Sequence, residues 1–340
     1  MKTVKIKFVG FWNGFNPKSH FIYQILIKHY NVEITEQPDY VICSMFGKPY
    51  EYCNYPQVRI MYSGENYIPD FNLIDYAISP YPINFFDRSF HKPACVDVFG
   101  RCLALETKNR NYSFDILNKK ESFANFIASH ESEFGIRGNF FKQLSKYKRV
   151  DSPGTYLNNM PSGETVSFTN DTKSEFQRNS KFTLCFESTK HQGFITEKIT
   201  DAFYADTIPV YYGSDDISDI FNPKAFIDCS RFNSFDEAIN KIIELDNDDE
   251  KYIEMLRQPI FNDPRYVSKL LSDMENFVLN IFEQPIEQSY RRSRVYIPKT
   301  INDYLCSSSS SSNVVAARSK KIKDKISSVL QKFSNKTNRK

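Results

Sequence analysis

The stretch from Lys181 to Ser214 constrains this chain most, because it reads as strand, loop, helix, strand. Phe182 to Phe186 is a short, bounded apolar run of the kind that forms a buried strand. Gly193 opens the loop, and Thr196 is a natural N-cap with a polar first turn behind it. Ile199, Ala202 and Phe203 then recur three and one apart, marking a helix face. Ile208 to Tyr212 is β-branched and aromatic, and Gly213-Ser214 ends it as a turn. A βαβ unit of this size implies a parallel sheet with ligands at its carboxyl edge.

The chemistry belongs to the start of that helix. Free N–H groups and the helix dipole favour an anion there. Lys198 adds a full positive charge, and Glu197 beside it is a hydrogen-bond acceptor suited to sugar hydroxyls. A nucleotide diphosphate fits this pattern. So does a solvated Glu-Lys pair that merely complements the dipole, and residue spacing alone leaves both readings open.

The first half of the chain alternates strands and helices, as a doubly wound sheet does. Strands are expected over Val4 to Phe11, Val32 to Thr35, Tyr40 to Met45 and Val58 to Tyr62, with Phe21, Ile22, Ile25 and Leu26 on a helix face. Ser63-Gly64-Glu65-Asn66 is the turn after the Val58 strand, so Glu65 has the position of a crevice residue. Residues 80–122 carry Pro80, Pro82 and Pro93 and read as loops. A strand follows from Phe123 to Ser129, then a helix from Ile136 to Tyr147 on which Arg137 stands near the start. Beyond the organising unit, a short strand is expected from Ala225 to Asp228. Helices follow over Phe235 to Leu245, Tyr252 to Leu256 and Val267 to Phe282, the first opened by a Ser234/Glu237 capping box.

The chain of 340 residues suffices for two domains with their own cores. Its seven cysteines are scattered, no Cys-x-x-Cys occurs, and the five histidines are dispersed. That excludes a zinc-binding pattern and a disulfide framework, and favours a reducing compartment. Asp215-Asp216 reads as a solvated loop pair rather than a metal site. Lys2, Lys5 and Lys7 interleave with Val4, Ile6 and Phe8, which is a first strand and not a signal peptide. From residue 299 the sequence changes character. Six serines, Ser307 to Ser312, form a flexible linker. From Arg318 to Lys340 nine Lys or Arg stand against one Asp, a net of +8. The whole chain carries +3, so the remainder is −5 by subtraction. Ile322, Ile326, Val329, Leu330 and Phe333 would form one apolar stripe on a helix, which suits an anionic membrane surface better than nucleic acid.

Phe182-Thr-Leu-Cys-Phe-Glu187-Ser188, Phe194-Ile-Thr-Glu197-Lys198 and Pro209-Val ending in Gly213-Ser214 together resemble the signature of the α1,3/4-fucosyltransferase family, glycosyltransferase family 10, especially its bacterial members. Ser63-Gly64-Glu65-Asn66, Phe71 to Ile78 and Phe221 to Phe226 extend the resemblance, in order, from about Val58 to about Met255. It implies a GT-B glycosyltransferase architecture: an α/β protein of two Rossmann-like domains facing a central cleft, here with a basic C-terminal tail. The implied division is an acceptor-side domain over 1–130 carrying the general base, a GDP-fucose-binding domain over 131–298, and the linker and tail over 299–340.

The implied reaction is inverting transfer of L-fucose from GDP-β-L-fucose to the GlcNAc of an N-acetyllactosamine-type glycan, such as a bacterial surface polysaccharide. Such a step needs one carboxylate to take the acceptor's proton, and cations rather than an acid for the leaving diphosphate. The resemblance assigns the base to Glu65, the diphosphate contacts to Arg137 and Lys198, and the donor ribose to Glu197. Glu187, Ser188 and Phe194 complete the donor-binding set. Ser188 stands where most members have Asn, and Phe194 where bacterial members often have Tyr. No cofactor or metal is required, and Mn2+ or Mg2+ would stimulate modestly at most. The expected place of action is the cytoplasm, peripheral on the inner face of the membrane through the tail, with no nucleic-acid partner. Rival readings are an α1,4- or dual-specificity enzyme, another sugar-nucleotide transferase, and a non-catalytic binding module.

Overall fold

The computed structural model of the chain describes residues 1–97, 99–166 and 171–293. In chain order the first elements are β1 (Thr3–Val9), α1 (Phe21–His29), β2 (Asn31–Ile34), β3 (Tyr40–Cys43), β4 (Val58–Tyr62), β5 (Tyr76–Ser79), β6 (Ser89–His91) and α2 (Phe99–Glu106). Next come β7 (Ser122–Phe126), α3 (Ile136–Leu144), β8 (Val150–Asp151), α4 (Asp171–Arg178), β9 (Ser180–Phe186), α5 (Glu197–Tyr204) and β10 (Ile208–Tyr212). The remainder is α6 (Ile217–Ile220), β11 (Ile227–Asp228), α7 (Phe235–Asp246), α8 (Asp249–Arg257), α9 (Tyr266–Glu283) and α10 (Ile286–Ser289). The strands form two sheets, ordered β2-β1-β3-β4-β5-β6 and β11-β10-β9-β7-β8. Neighbours from β2 to β4, and all neighbours in the second sheet, run parallel.

Two compact units result. Among the described residues one comprises 1–62, 69–77 and 278–293; the other comprises 63–68 and 78–277. These boundaries differ from the division at 130 and 131. The turn bearing Glu65, and everything from Ile78 to His130, cluster with the later part of the chain. The tail over 299–340 lies outside the described residues.

In the first unit the Lys/apolar alternation of β1 does what it predicts: Val4 and Ile6 are buried while Thr3 and Lys5 are exposed. Its helix α1 is capped by His20, whose Nδ1 accepts from the Ile22 N–H at 3.3 Å, and buries Ile22, Ile25 and Leu26. A polar knot closes this unit. Asp75, fully buried, accepts from the backbone N–H of Arg59 at 2.7 Å and of Arg291 and Arg292 at 2.8 Å. Buried carboxylates persist only when satisfied in this way.

The second sheet shows why the stretch around β9 organises the chain. Phe182, Leu184 and Phe186 face one hydrophobic core with Ile208 and Val210, while Cys185 and Tyr211 face another. Successive residues point to opposite faces, so a largely apolar strand serves two cores at once. The register pairs Phe186 with Tyr212, so β9 and β10 end side by side. The strand expected over Ala225 to Asp228 is shorter, and that over Phe123 to Ser129 stops at Phe126. Residues 80–122 hold β6 and α2, and the polar stretch before β9 holds α4; neither was expected.

Candidate active site at the carboxyl edge of the second sheet

The site is built where β9, β10 and β7 end. Glu187 follows β9 directly, and its side chain is fully enclosed. One carboxylate oxygen accepts from the Thr196 N–H at 2.8 Å and Thr196 Oγ1 at 3.0 Å. The other faces Thr196 Oγ1 at 2.8 Å and the Lys198 ammonium at 3.0 Å. Lys198 also donates to Thr196 Oγ1 at 2.7 Å. Thr196 is the N-cap of α5, as expected, but its hydroxyl is not the group that caps. An internal carboxylate takes the N-cap N–H, a position open to a ligand's anion in the sequence reading. What the helix tip offers a ligand is Lys198, one-fifth exposed and with one ammonium proton left.

Charge states at the tip follow from these contacts. Burial opposes the Lys198 ammonium, but Glu187 and Glu197 outweigh it and hold the pKa above the usual lysine value. Burial also works against the Glu197 carboxylate, and Lys198 and Lys173 together bring its pKa below the usual value. Lys173, on α4, is buried and pairs with Asp201 at 2.7 Å and with Glu197 at 3.9 Å. Sequence reasoning missed Lys173. Its only signal was Glu197 and Asp201 four apart on one helix face, two carboxylates that require a cation from elsewhere.

Arg137 is 3% exposed on the first turn of α3. Its Nε and Nη2 donate to the Phe186 carbonyl at 3.0 and 2.8 Å, and its Nη1 to the His130 carbonyl at 3.0 Å. Three of five N–H groups therefore tie the end of β9 to the loop after β7, leaving two. Burial lowers its pKa, while Glu187, Glu131 and Glu197 counter that. The expected bidentate fork for a diphosphate is thus largely a strut within the sheet edge. The α3 N-terminus is also engaged, since Glu131 accepts from the Gly138 N–H at 3.2 Å.

Ser188 and Thr189 continue from Glu187; the Ser188 carbonyl accepts from the Glu133 N–H at 3.0 Å. Phe194 is 4% exposed, packed inside rather than presented to a ligand. Gly193 has φ +77°, and a Cβ there would sit 2.3 Å from the Pro80 carbonyl oxygen, so only glycine fits. Its N–H donates to Ser214 Oγ at 2.8 Å and Asp216 Oδ1 at 3.1 Å. Asp216 is therefore a loop anchor, not a solvated residue, and Asp215 pairs with Lys190 at 2.6 Å. Among the described residues no cluster of His, Cys, Asp and Glu could hold a metal ion, and no helix is long and apolar enough to cross a membrane.

Glu65 is exposed in its turn. Ser63 Oγ accepts from the Glu65 N–H at 3.1 Å and fixes the backbone there. At Gly64 a Cβ would stand 2.4 Å from Asp97 Oδ2. The next residue, Asn66, donates to Thr189 Oγ1 at 3.2 Å. The structure thus ties the Glu65 turn to the loop between Glu187 and Thr196, within one unit. Glu187, Thr196 and Lys198 form one network, Glu197 joins it by charge, and Arg137 braces it from behind.

Two family models match the chain. The "Alpha-(1,3)-fucosyltransferase FucT N-terminal domain" matches residues 6–96, and "Glycosyltransferase family 10 (fucosyltransferase) C-term" matches residues 116–258. The alpha-(1,3)-fucosyltransferase FucT of Helicobacter pylori is 31% identical over 279 residues, 72% of this chain and 57% of the relative. The chain thus spans little more than half the length of that protein. GDP-fucose protein O-fucosyltransferase 3 of Xenopus laevis is 28% identical over 54% of this chain and 42% of the relative. A crystal structure of an alpha1,3-fucosyltransferase superposes with TM-score 0.69 at 27% identity, covering 87% of this chain and 93% of the other. A crystal structure of an alpha1,3-fucosyltransferase with GDP-fucose superposes with TM-score 0.65 at 28% identity, covering 82% of this chain and 91% of the other.

Proposed function

The chain belongs to glycosyltransferase family 10, and from that premise we propose that it is an inverting α1,3-fucosyltransferase. It moves L-fucose from GDP-β-L-fucose to the GlcNAc of an N-acetyllactosamine-type glycan of a bacterial surface polysaccharide. The observation that carries this reading is the hydrogen bond from Asn66 to Thr189. It joins the exposed turn that bears Glu65 with the loop leading to Lys198.

In this reading Glu65 takes the proton from the acceptor hydroxyl as the fucosyl carbon–oxygen bond to GDP breaks. Lys198 faces the leaving diphosphate, and Glu187 and Thr196 keep its ammonium charged and aimed. Glu197 accepts from the donor ribose. Arg137 acts mainly by holding the edge of β9 in place, with two N–H groups left for phosphate oxygen. No metal is needed, because the leaving group meets a fixed cation. The tail places the enzyme on the inner face of the cytoplasmic membrane, where sugar nucleotides are available.

The test is turnover of GDP-fucose with type 1 and type 2 disaccharides, followed by linkage analysis. An α1,3 product on the type 2 acceptor is expected. Turnover with GDP-mannose or a UDP-sugar, and none with GDP-fucose, would sink the proposal.

A further inference from the structure

A second polar site lies in the same unit, beyond the C-terminal end of α5. A cavity of about 240 Å3 is lined by Glu106, Lys108, Arg110 and Arg257 on a wall completed by Ile260 and Phe261. Arg110 is 9% exposed, and none of its three guanidinium nitrogens has a hydrogen-bond partner. An arginine buried in this way without an acceptor leaves five donors unsatisfied. It lies over the ring faces of Phe203 at 5.4 Å and Tyr112 at 5.9 Å, and the Asp206 carboxylate acts on it through charge without a hydrogen bond. Ring faces attract the charge but do not replace hydrogen bonds.

The other charged groups are already engaged. Lys108 pairs with Asp206 at 2.7 Å and donates to the Phe203 and Tyr204 carbonyls, closing α5. Arg257 gives its Nε and one Nη2 proton to the Tyr112 carbonyl, at 2.8 and 2.5 Å, and keeps its other donors. Glu106 accepts from the Ser268 N–H at 2.8 Å and turns its charge to the start of α9. Asp206 balances Lys108, so Arg110 and Arg257 stand against Glu106 in the lining.

We propose that this cavity binds a phosphate dianion, free or as the head of a small phosphate monoester, with Arg110 as its principal partner. Two guanidinium groups on one cavity suit a tetrahedral dianion, and the planar fork of Arg110 matches two of its oxygens. The Arg110 nitrogens are covered in the structure, so binding includes a rotation of that side chain into the cavity it lines. The site shares no residue with the proposed donor site.

Calorimetric titration of inorganic phosphate into the full chain, with GDP present to occupy the donor site, tests this. The heat of GDP binding, recorded first, reports the donor site separately. One phosphate site is expected, weakened at least tenfold in Arg110→Gln and several-fold in Arg257→Gln. Glucose 1-phosphate should compete for it, and acetate, a monoanion, should not bind measurably. Equal affinity in wild type and Arg110→Gln, or no phosphate heat at all, overturns the proposal. The former result would mean that Arg110 is held by Phe203, Tyr112 and the charge of Asp206 without a ligand. Acetate binding as tightly as phosphate overturns the dianion assignment. Should Arg110→Gln not fold, Arg257→Gln decides by the same criterion.

Discussion

Glu187 is the group whose replacement says most about how the site is assembled. In Glu187→Gln the amide keeps one oxygen, which suits the Thr196 N–H at 2.8 Å. Its NH2 then faces the Lys198 ammonium that the carboxylate met at 3.0 Å, donor against donor. A hydrogen bond to a charged group is worth about 1.5–3 kcal/mol net. Removing one partner of a fully buried pair costs about 3–5 kcal/mol. Lys198 is 21% exposed and regains some hydration, so the lower range applies, about 2 kcal/mol. For a unit of this size that corresponds to a melting point lower by roughly 4–8 °C.

A double-mutant cycle with Lys198→Met isolates the pair. The coupling should be about 1.5–2 kcal/mol by chemical denaturation, because Lys198→Met removes the ammonium that Glu187→Gln offends. The pH dependence carries a sign. The pKa of Lys198 is raised in the folded chain, so its contribution is complete below the ordinary lysine value and disappears as pH rises through the folded one. In Glu187→Gln that loss should begin at lower pH. Additivity of the two substitutions within about 0.5 kcal/mol would refute the network as the support of the helix tip.

Glu65→Gln should lower kcat by about 10^2- to 10^4-fold while GDP affinity and melting point stay put, since Glu65 is exposed; a wild-type rate removes it as the base. Gly193→Ala places a Cβ 2.3 Å from the Pro80 oxygen at φ +77°. It should cost more than about 1–2 kcal/mol of stability, the left-handed penalty alone, measured by denaturation. Burial pushes Lys120 down to about 7 from 10.5. Between those values the unfolded chain binds the extra proton, so stability should rise with pH there, and Lys120→Met should flatten the slope. Vesicle sedimentation with and without residues 313–340 tests the tail, and equal partitioning on anionic lipid would remove the membrane assignment.

The elements that could be read from sequence were those with a strong period or punctuation. β4 runs from Val58 to Tyr62 as expected, and α7 starts at Phe235 behind Ser234. Here only half of the capping box forms: Ser234 accepts from the Glu237 N–H at 3.3 Å, but the Glu237 carboxylate takes the Asn233 N–H instead. α4 was hidden because Asp171 to Arg178 is mostly polar, and the burial of Lys173 comes from Asp201, 28 residues away. Long-range ion pairing leaves no local period. The Gly193 N–H that anchors Asp216 comes from 23 residues away and was equally hidden in what looked like two aspartates in a loop.

The structure brings together residues singled out from sequence, but their division of labour was not legible. Glu187, Arg137 and Phe194 could be singled out, and each is buried with its polar groups, where present, largely spent on the protein itself. Phe194, 4% exposed, is therefore first a packing residue. A tyrosine there would bring a hydroxyl that needs its own partner inside, so the missing hydroxyl bears on packing before it bears on donor contact. Ser188 is different. It is half-buried in the loop that Asn66 grips through Thr189, and its side chain is not part of the Glu187 network. Of the two departures from the family pattern, Ser188 is therefore the one that, in the proposed reading, bears on how a donor is held.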